Sequence, residues 1–145
     1  MWQDGPVASA DGSDVRQQVE VNLLGLMNVT RAVLPHMLAS GGGDTVAISS
    51  ANPRYPAEGA GAYTATKTGV NGFCEALREG VADDGVRVTV VMPGVVDTAM
   101  QPTDFEHEVL TPADVAETVT FALSRPDNVL LAELLVAASP SVPYR

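Results

Sequence analysis

Tyr63 and Lys67 are two side chains in this sequence whose types and spacing allow proton-transfer chemistry. They are four residues apart in a segment of helical periodicity, which places both side chains on one face of a helix. A phenol with an ordinary pKa of about 10 exchanges protons poorly at neutral pH, and a neighbouring ammonium lowers that pKa. The spacing also fits a surface lysine beside a half-buried tyrosine, so the pair alone leaves both interpretations open.

Further polar side chains lie where chemistry is expected in an α/β protein. Ser49 and Ser50 follow a short β-branched segment, and ligands bind at the carboxyl ends of such strands. We interpret Ser49 as a residue that satisfies backbone groups at the strand end, and Ser50 as a hydroxyl able to donate to a ligand oxygen. Asn22 interrupts an apolar helical segment. Because a buried amide requires partners, Asn22 either bonds to a neighbouring strand or orders water in a site.

These residues belong to helices and strands that alternate along the chain. Apolar steps of three and four predict a helix from Ser13 to about Ser40, capped by Ser13 or Asp14, with Pro35 loosening its last turn. The other predicted elements are a strand at 45–49, a helix at 62–81, a strand at 86–92, a helix from Thr111-Pro112 to Arg125 and a strand at 129–136. This order predicts an α/β fold with a parallel sheet. A parallel sheet of three strands is small, so we expect a piece of a larger doubly wound domain.

The composition excludes several functional classes. The 145 residues carry a formal charge of −10, which disfavours nucleic acids and anionic membranes as partners. The single cysteine, Cys74, excludes an internal disulfide framework and any cysteine-based zinc site, and neither histidine lies in a metal-ligand pattern. No apolar segment has the length of a membrane span, and residues 1–14 match neither a signal nor a transit peptide. We therefore expect a soluble cytoplasmic protein.

Four stretches, taken in order, resemble the short-chain dehydrogenase/reductase family. They are VNLLGLMNVTRAVLPHM, TVAISSANPRYPAEGAGAYTATKTGVNGF, EALREGVADDGVRVTVVMPGVVDT and TPADVAETVTFAL. The resemblance covers nearly all of residues 5–136. Its most specific part is the signature in which Ser50 stands thirteen residues before Tyr63, Lys67 follows, and a strand ending in Pro-Gly comes next.

The resemblance implies a role for each matching residue. It implies that Tyr63 gives a proton to a carbonyl oxygen during reduction and takes it back during oxidation. Lys67 lowers the pKa of Tyr63 and holds the nicotinamide ribose. Ser50 orients and polarises the carbonyl, and Asn22 holds a water in the proton relay. The residues that match the segment packing on the nicotinamide are Pro93, Gly94, Val96 and Thr98.

The resemblance also implies a Rossmann-like doubly wound fold and an oxidoreductase that uses NAD or NADP and a small alcohol or carbonyl substrate. It further implies a homo-oligomer that assembles through helices 14–39 and 62–81. The family's glycine-rich phosphate loop is not found in this sequence, since Gly41-Gly42-Gly43 follows a helix and precedes a strand. We therefore expect residues 1–145 to be the C-terminal part of one domain, truncated to its last three strands, with little activity alone. A noncatalytic interaction module derived from this family is the alternative.

Overall fold

The computed structural model describes residues 5–100 and 108–139, in which helices surround a three-stranded parallel sheet. In chain order the elements are a 3-10 turn at Val7–Ser9, α1 at Gly12–Val19, a π-helical turn at Glu20–Leu24, α2 at Gly25–Ala39, β1 at Gly43–Ile48, α3 at Gly61–Gly80, β2 at Val86–Pro93, α4 at Pro112–Leu123 and β3 at Glu133–Val136. The predicted alternation of helices and strands is confirmed.

The first helical region differs from its prediction in two details. The cap is Asp11, whose carboxylate accepts a hydrogen bond from the Ser13 backbone N–H at 2.7 Å, because Asp11 is extended and its side chain reaches back over the first turn. The distortion lies at the π-helical turn rather than at Pro35, which lies inside α2 without ending it. Such turns insert an extra residue into a helix and are frequent at functional sites. This one has Asn22 at its centre.

The sheet has the strand order β1-β2-β3, and both pairs are parallel. Gly43 to Ile48 pair with Val86 to Val91, and Val90 to Pro93 pair with Glu133 to Val136. β3 is shorter than the predicted strand at 129–136. The N–H of Val129 donates to the Pro126 carbonyl, and its own carbonyl accepts from Arg87, so the ladder begins only at Ala132.

The core lies between β2 and the helices α2 and α3. Its buried members include alternate residues of β2, together with Val70 and Cys74 of α3, and Leu34 and Met37 of α2 pack against them. Thr89 and Val91 of β2 are buried on the opposite face of the sheet. Arg87 shares that face and bonds to carbonyls just after α4, which contacts β2 and β3. Helices therefore cover both faces, as expected for a Rossmann-like α/β fold.

The amino ends of β1 and β2 form what we term the amino edge of the sheet. Gly42 and Gly85 both have positive φ, and a Cβ atom on Gly42 would lie 2.2 Å from the Gly85 carbonyl oxygen. Arg87 binds Asp44 through two hydrogen bonds of 2.7 and 2.9 Å. No helix in the described ranges is long and apolar enough to cross a membrane.

Candidate active site

The opposite end of the strands, here termed the carboxyl edge, holds most of the residues singled out in the sequence. The hydrogen-bonded ladder continues past the strand ends, since the N–H groups of Ser49 and Ala51 donate to the carbonyls of Val91 and Pro93, both at 2.8 Å. These two bonds fix the backbone on either side of Ser50. The same edge ends at Gly94, whose N–H donates to Val136 at 2.7 Å.

A cavity of about 310 Å³ opens at this edge. Its volume falls near the lower end of the range of roughly 300–1,000 Å³ that is typical of small-molecule sites. Among the residues that line it are Ser50, Tyr63, Lys67, Pro93, Gly94, Val96 and Thr98. Seven of the eight residues predicted from the sequence thus meet at one cavity, although they come from three separate segments of the chain.

Lys67 is anchored by its own ammonium and by its backbone. Its Nζ donates to the Ile48 carbonyl at 3.0 Å and lies 5.8 Å from the centroid of the Tyr63 ring. The Ser49 hydroxyl donates to the Lys67 carbonyl at 3.3 Å, which fits the interpretation of Ser49 as a residue that satisfies a backbone group. Burial lowers the pKa of the Lys67 ammonium because desolvation penalises the charged form.

Tyr63 has a raised rather than a lowered pKa. Burial of the phenol raises its pKa, and a hydrogen bond with the Ser50 side chain lowers it by less. The sequence predicted a lowered pKa from Lys67, and the net direction is the opposite because desolvation of the phenolate dominates. The phenol therefore stays protonated at neutral pH and is in the form that can donate a proton.

Asn22 lies behind this cavity rather than among the residues that line it. Its Nδ2 is 3.3 Å from Thr66 Oγ1, and the Thr66 hydroxyl donates to the Tyr63 carbonyl at 2.8 Å. Asn22 is thus linked through a buried threonine to the turn of α3 that carries Tyr63 and Lys67. The π-helical turn brings this amide to α3, where the side chain of Thr66 is one of its partners.

The structure adds residues that the sequence analysis did not identify. Ile48, Met100, Pro112 and Val115 supply apolar surface to the cavity. Leu110 is buried and pairs with Val96 in a parallel bridge, which holds the segment after β2 beside the cavity. The sequence carries no periodic signal for this contact, because it joins two irregular segments on either side of residues 101–107.

Asn52 and Thr64 form a second unpredicted feature beside the cavity. The Thr64 hydroxyl donates to the Asn52 side-chain oxygen, and the Asn52 backbone N–H donates to Ser50 Oγ at 3.1 Å. Asn52 stands two residues after Ser50, and Thr64 stands one residue after Tyr63. This closeness in sequence to two candidate site residues is the signal that could have identified them.

The arrangement can act on an oxygen atom of a small ligand. The hydroxyl-bearing residues that line the cavity include Ser50 and Tyr63, and Lys67 adds an ammonium. A protonated phenol beside a second hydroxyl can donate a proton while the other hydroxyl holds the same oxygen. The chemical character of the donor set therefore fits general acid–base work on a hydroxyl or carbonyl group.

Comparisons with known proteins agree with this geometry. The sequence model of the family described as short chain dehydrogenase matches residues 1–109. The NADP-dependent 3-hydroxy acid dehydrogenase of Schizosaccharomyces pombe is 35% identical over 138 residues, which are 87% of this chain and 53% of that protein. The chain thus spans about half the length of this curated relative.

Solved structures show the same fold. Serine dehydrogenase from Escherichia coli superposes with a TM-score of 0.85 at 31% identity, over 95% of this chain and 60% of that one. A closed form of serine dehydrogenase complexed with NADP+ gives a TM-score of 0.86 at 30% identity, over 92% of this chain and 59% of that one.

Proposed function

From the premise that this chain belongs to the short chain dehydrogenase family, we propose that it carries the catalytic residues of an oxidoreductase. In this proposal the enzyme uses NAD or NADP and interconverts an alcohol and a carbonyl compound. The observation that carries the proposal is the meeting of Ser50, Tyr63 and Lys67 at one cavity on the carboxyl edge. In open α/β sheets this edge is where ligands bind.

The residues around the cavity fit a nicotinamide nucleotide. Lys67 and Tyr63 offer donors to ribose hydroxyls, and the turn after β2 offers a flat apolar surface at Pro93 and Gly94, continued by Val96 and Thr98. When bound, such a cofactor supplies or accepts the hydride. The S. pombe relative is named as NADP-dependent, and one serine dehydrogenase structure holds NADP+. Both facts support a nicotinamide nucleotide as the cofactor class.

We assign the proton to Tyr63. Its raised pKa keeps the phenol protonated near neutral pH, so in the direction of reduction Tyr63 gives a proton to the carbonyl oxygen. Ser50 holds the same oxygen through its hydroxyl. Lys67 places a positive charge beside the Tyr63 ring, which favours the phenolate left after proton transfer. In oxidation the same groups act in reverse.

We assign Asn22 to the proton relay behind Tyr63 and Lys67. The support for this role is the link from Asn22 through Thr66 to the Tyr63 carbonyl, at distances of 3.3 and 2.8 Å. In this proposal Asn22 holds a water that returns a proton toward Lys67 after each turnover. The π-helical turn gives the amide its position, as irregular turns often do at functional sites.

The proposal extends to the organisation of the molecule. Residues 1–145 supply the C-terminal part of a single Rossmann-type domain, in a cytoplasmic enzyme that acts on a small molecule. A self-association surface on helices 14–39 and 62–81 is supported by the exposure of Val21, Val29 and Val33 on the first of them. Sedimentation at micromolar concentration tests it, and Val29→Asp should shift the protein toward monomer.

A cofactor titration separates the enzyme from the noncatalytic alternative. The complete protein should enhance the fluorescence of NADH or NADPH and turn over a panel of carbonyl compounds. The 145-residue chain alone should bind more weakly, because its cavity of about 310 Å³ is at the small end of ligand sites. A complete protein that neither binds nor oxidises a reduced nicotinamide would contradict the enzyme and favour the interaction module.

A further inference from the structure

Asn52 lies between Ser50 and Tyr63 in the sequence, and its hydrogen bonds connect the Ser50 loop to the first turn of α3. It stands two residues after Ser50, in the segment that connects β1 to α3. Its backbone N–H donates to Ser50 Oγ at 3.1 Å. Its side-chain oxygen accepts a hydrogen bond from the hydroxyl of Thr64, twelve residues later, in the first turn of α3.

The bond from Asn52 constrains the direction of the Ser50 proton. A serine hydroxyl has one hydrogen and two acceptor lone pairs. Because the N–H of Asn52 occupies an acceptor position, the Ser50 hydrogen must point away from Asn52. Tyr63 is the side chain in bonding contact with Ser50 on the other side, and this bond lowers the phenol pKa against the larger effect of burial.

Two sets of contacts hold Asn52 in place. The backbone turn is fixed by Arg54 N–H donating to the Ala51 carbonyl at 3.0 Å and by Ala51 N–H donating to Pro93 at 2.8 Å. The side chain is fixed by its hydrogen bond from Thr64, which is itself half-buried beside Tyr63. Movement of α3 relative to the loop would therefore turn the Asn52 N–H and, with it, the Ser50 hydroxyl.

We propose that Asn52 and Thr64 are a positioning pair, which fixes the Ser50 hydroxyl so that its hydrogen faces Tyr63 and the substrate oxygen. The pair touches neither reacting atom and acts through Ser50. This inference rests on the proposed function, since it concerns the same oxygen-binding hydroxyls. It differs from a purely structural staple, which would tie the loop to α3 without changing the acidity of Tyr63.

Thr64→Val and Asn52→Ala test the pair, because each removes one partner of the bond. With the Ser50 hydroxyl released, we expect the pKa of Tyr63 to rise, as measured by ultraviolet difference titration against the same variant carrying Tyr63→Phe. In the complete enzyme we expect kcat to fall about tenfold, the effect of one misplaced hydrogen bond, with KM within about twofold of its original value. Thr64→Ser keeps the hydroxyl and should restore both quantities.

Thr68→Val is the matched control. Thr68 lies one turn further along α3, is exposed, and its side chain makes no hydrogen bond within the described residues. If Thr64→Val does not fold, Asn52→Ala tests the same bond from the loop. An unchanged Tyr63 pKa together with kinetics equal to those of Thr68→Val would overturn the positioning role. Full turnover in Tyr63→Phe would instead overturn the proposed function, so the two failures are distinguishable.

Discussion

The two edges of the sheet both hold charged and polar side chains around a cavity, yet they use them differently. At the amino edge, a cavity of about 420 Å³ is lined by Asp44, Arg87 and Asp127 among others. Arg87 there donates to both oxygens of Asp44 and to the carbonyls of residues 125, 126 and 129. All its donor nitrogens have protein acceptors, and Asp44 raises the pKa of the guanidinium further. This larger cavity is therefore lined by a structural ion pair.

At the carboxyl edge the polar groups keep capacity for a ligand. The Lys67 ammonium has three donor hydrogens and makes one hydrogen bond within the described residues, to the Ile48 carbonyl. Tyr63 holds its proton because burial raises the phenol pKa. Burial raises the pKa of Tyr63 and lowers the pKa of Lys67, so desolvation disfavours the charged form of both groups. The difference indicates that the free donor hydrogens of Lys67 and the pKa shifts caused by desolvation mark the carboxyl edge as the candidate active edge, whereas cavity size does not.

Tyr63→Phe is the change with the largest expected effect on this comparison. It removes the proposed proton donor and leaves the ring, so turnover in the complete enzyme should fall about 10²–10⁴-fold while cofactor affinity changes little. Steady-state kinetics and a fluorescence titration measure the two quantities. Tyr55→Phe is the control, since Tyr55 is 41% exposed and outside the cavity. A similar loss in both variants would show that the carboxyl edge has no special role for Tyr63.

A crossed pair of substitutions, Lys67→Met and Arg87→Met, tests the two edges directly. Lys67→Met should lower kcat/KM about 10²-fold and weaken cofactor binding, because it removes a positioned cation. It should not lower the midpoint of thermal unfolding, because the ammonium is desolvated in the fold. Arg87→Met should lower that midpoint by several degrees and leave the kinetic constants unchanged at a temperature where the protein is folded. The reverse pattern would invert our assignment of the edges.

Gly42→Ala tests how tightly the amino edge is packed. A Cβ at this position would meet the Gly85 carbonyl oxygen at 2.2 Å, so we expect the free energy of unfolding to fall by about 3 kcal/mol. Gly41→Ala is the matched control, because Gly41 also has positive φ but its added Cβ meets nothing within 4 Å. That variant should lose about 1 kcal/mol. Equal losses, measured by denaturant unfolding of the chain, would mean that only backbone strain matters at this turn.

The pH dependence of turnover is the smallest expected effect, and it tests the protonation state that we assign to Tyr63. In the proposed mechanism reduction uses the protonated phenol, whose pKa is raised above 10.0, so its rate should stay flat through neutral pH and fall only as the pH rises through that raised pKa. Oxidation in that mechanism uses the phenolate and should increase with pH. Initial rates in both directions from about pH 6 to 11 measure this. A fall in reduction near neutral pH would contradict the raised pKa.

The pKa shifts of Tyr63 and Lys67 make the free energy of unfolding depend on pH in opposite directions. Tyr63 has a raised pKa, so its contribution is fully present below pH 10.0 and is lost as the pH rises through the folded value. Lys67 has a lowered pKa, so its contribution is present above pH 10.5 and is lost as the pH falls through the folded value. Lys67→Met should accordingly gain stability relative to the original chain at neutral pH, and this gain should vanish above pH 10.5.

Much of the fold was readable from local patterns. The run VRVTVVMP specifies β2 because a continuous apolar strand is stable only between covered faces, and Thr111-Pro112 with Asp114 specifies the start of α4 through a capping box that the structure confirms. Local strand-end and helical spacing made Ser50, Tyr63 and Lys67 candidates, and the resemblance to a known family singled them out as a set.

Tertiary structure decided the features that depend on contacts between distant segments. The π-helical turn at Asn22, the bond from Thr64 to Asn52 and the pairing of Val96 with Leu110 leave no periodic signal, because each joins segments that are irregular or far apart. The direction of the Tyr63 pKa was likewise undetermined by the sequence. A lysine four residues away predicted a lower pKa, but desolvation depends on how much of the phenol the fold buries, and burial is a property of the packed chain.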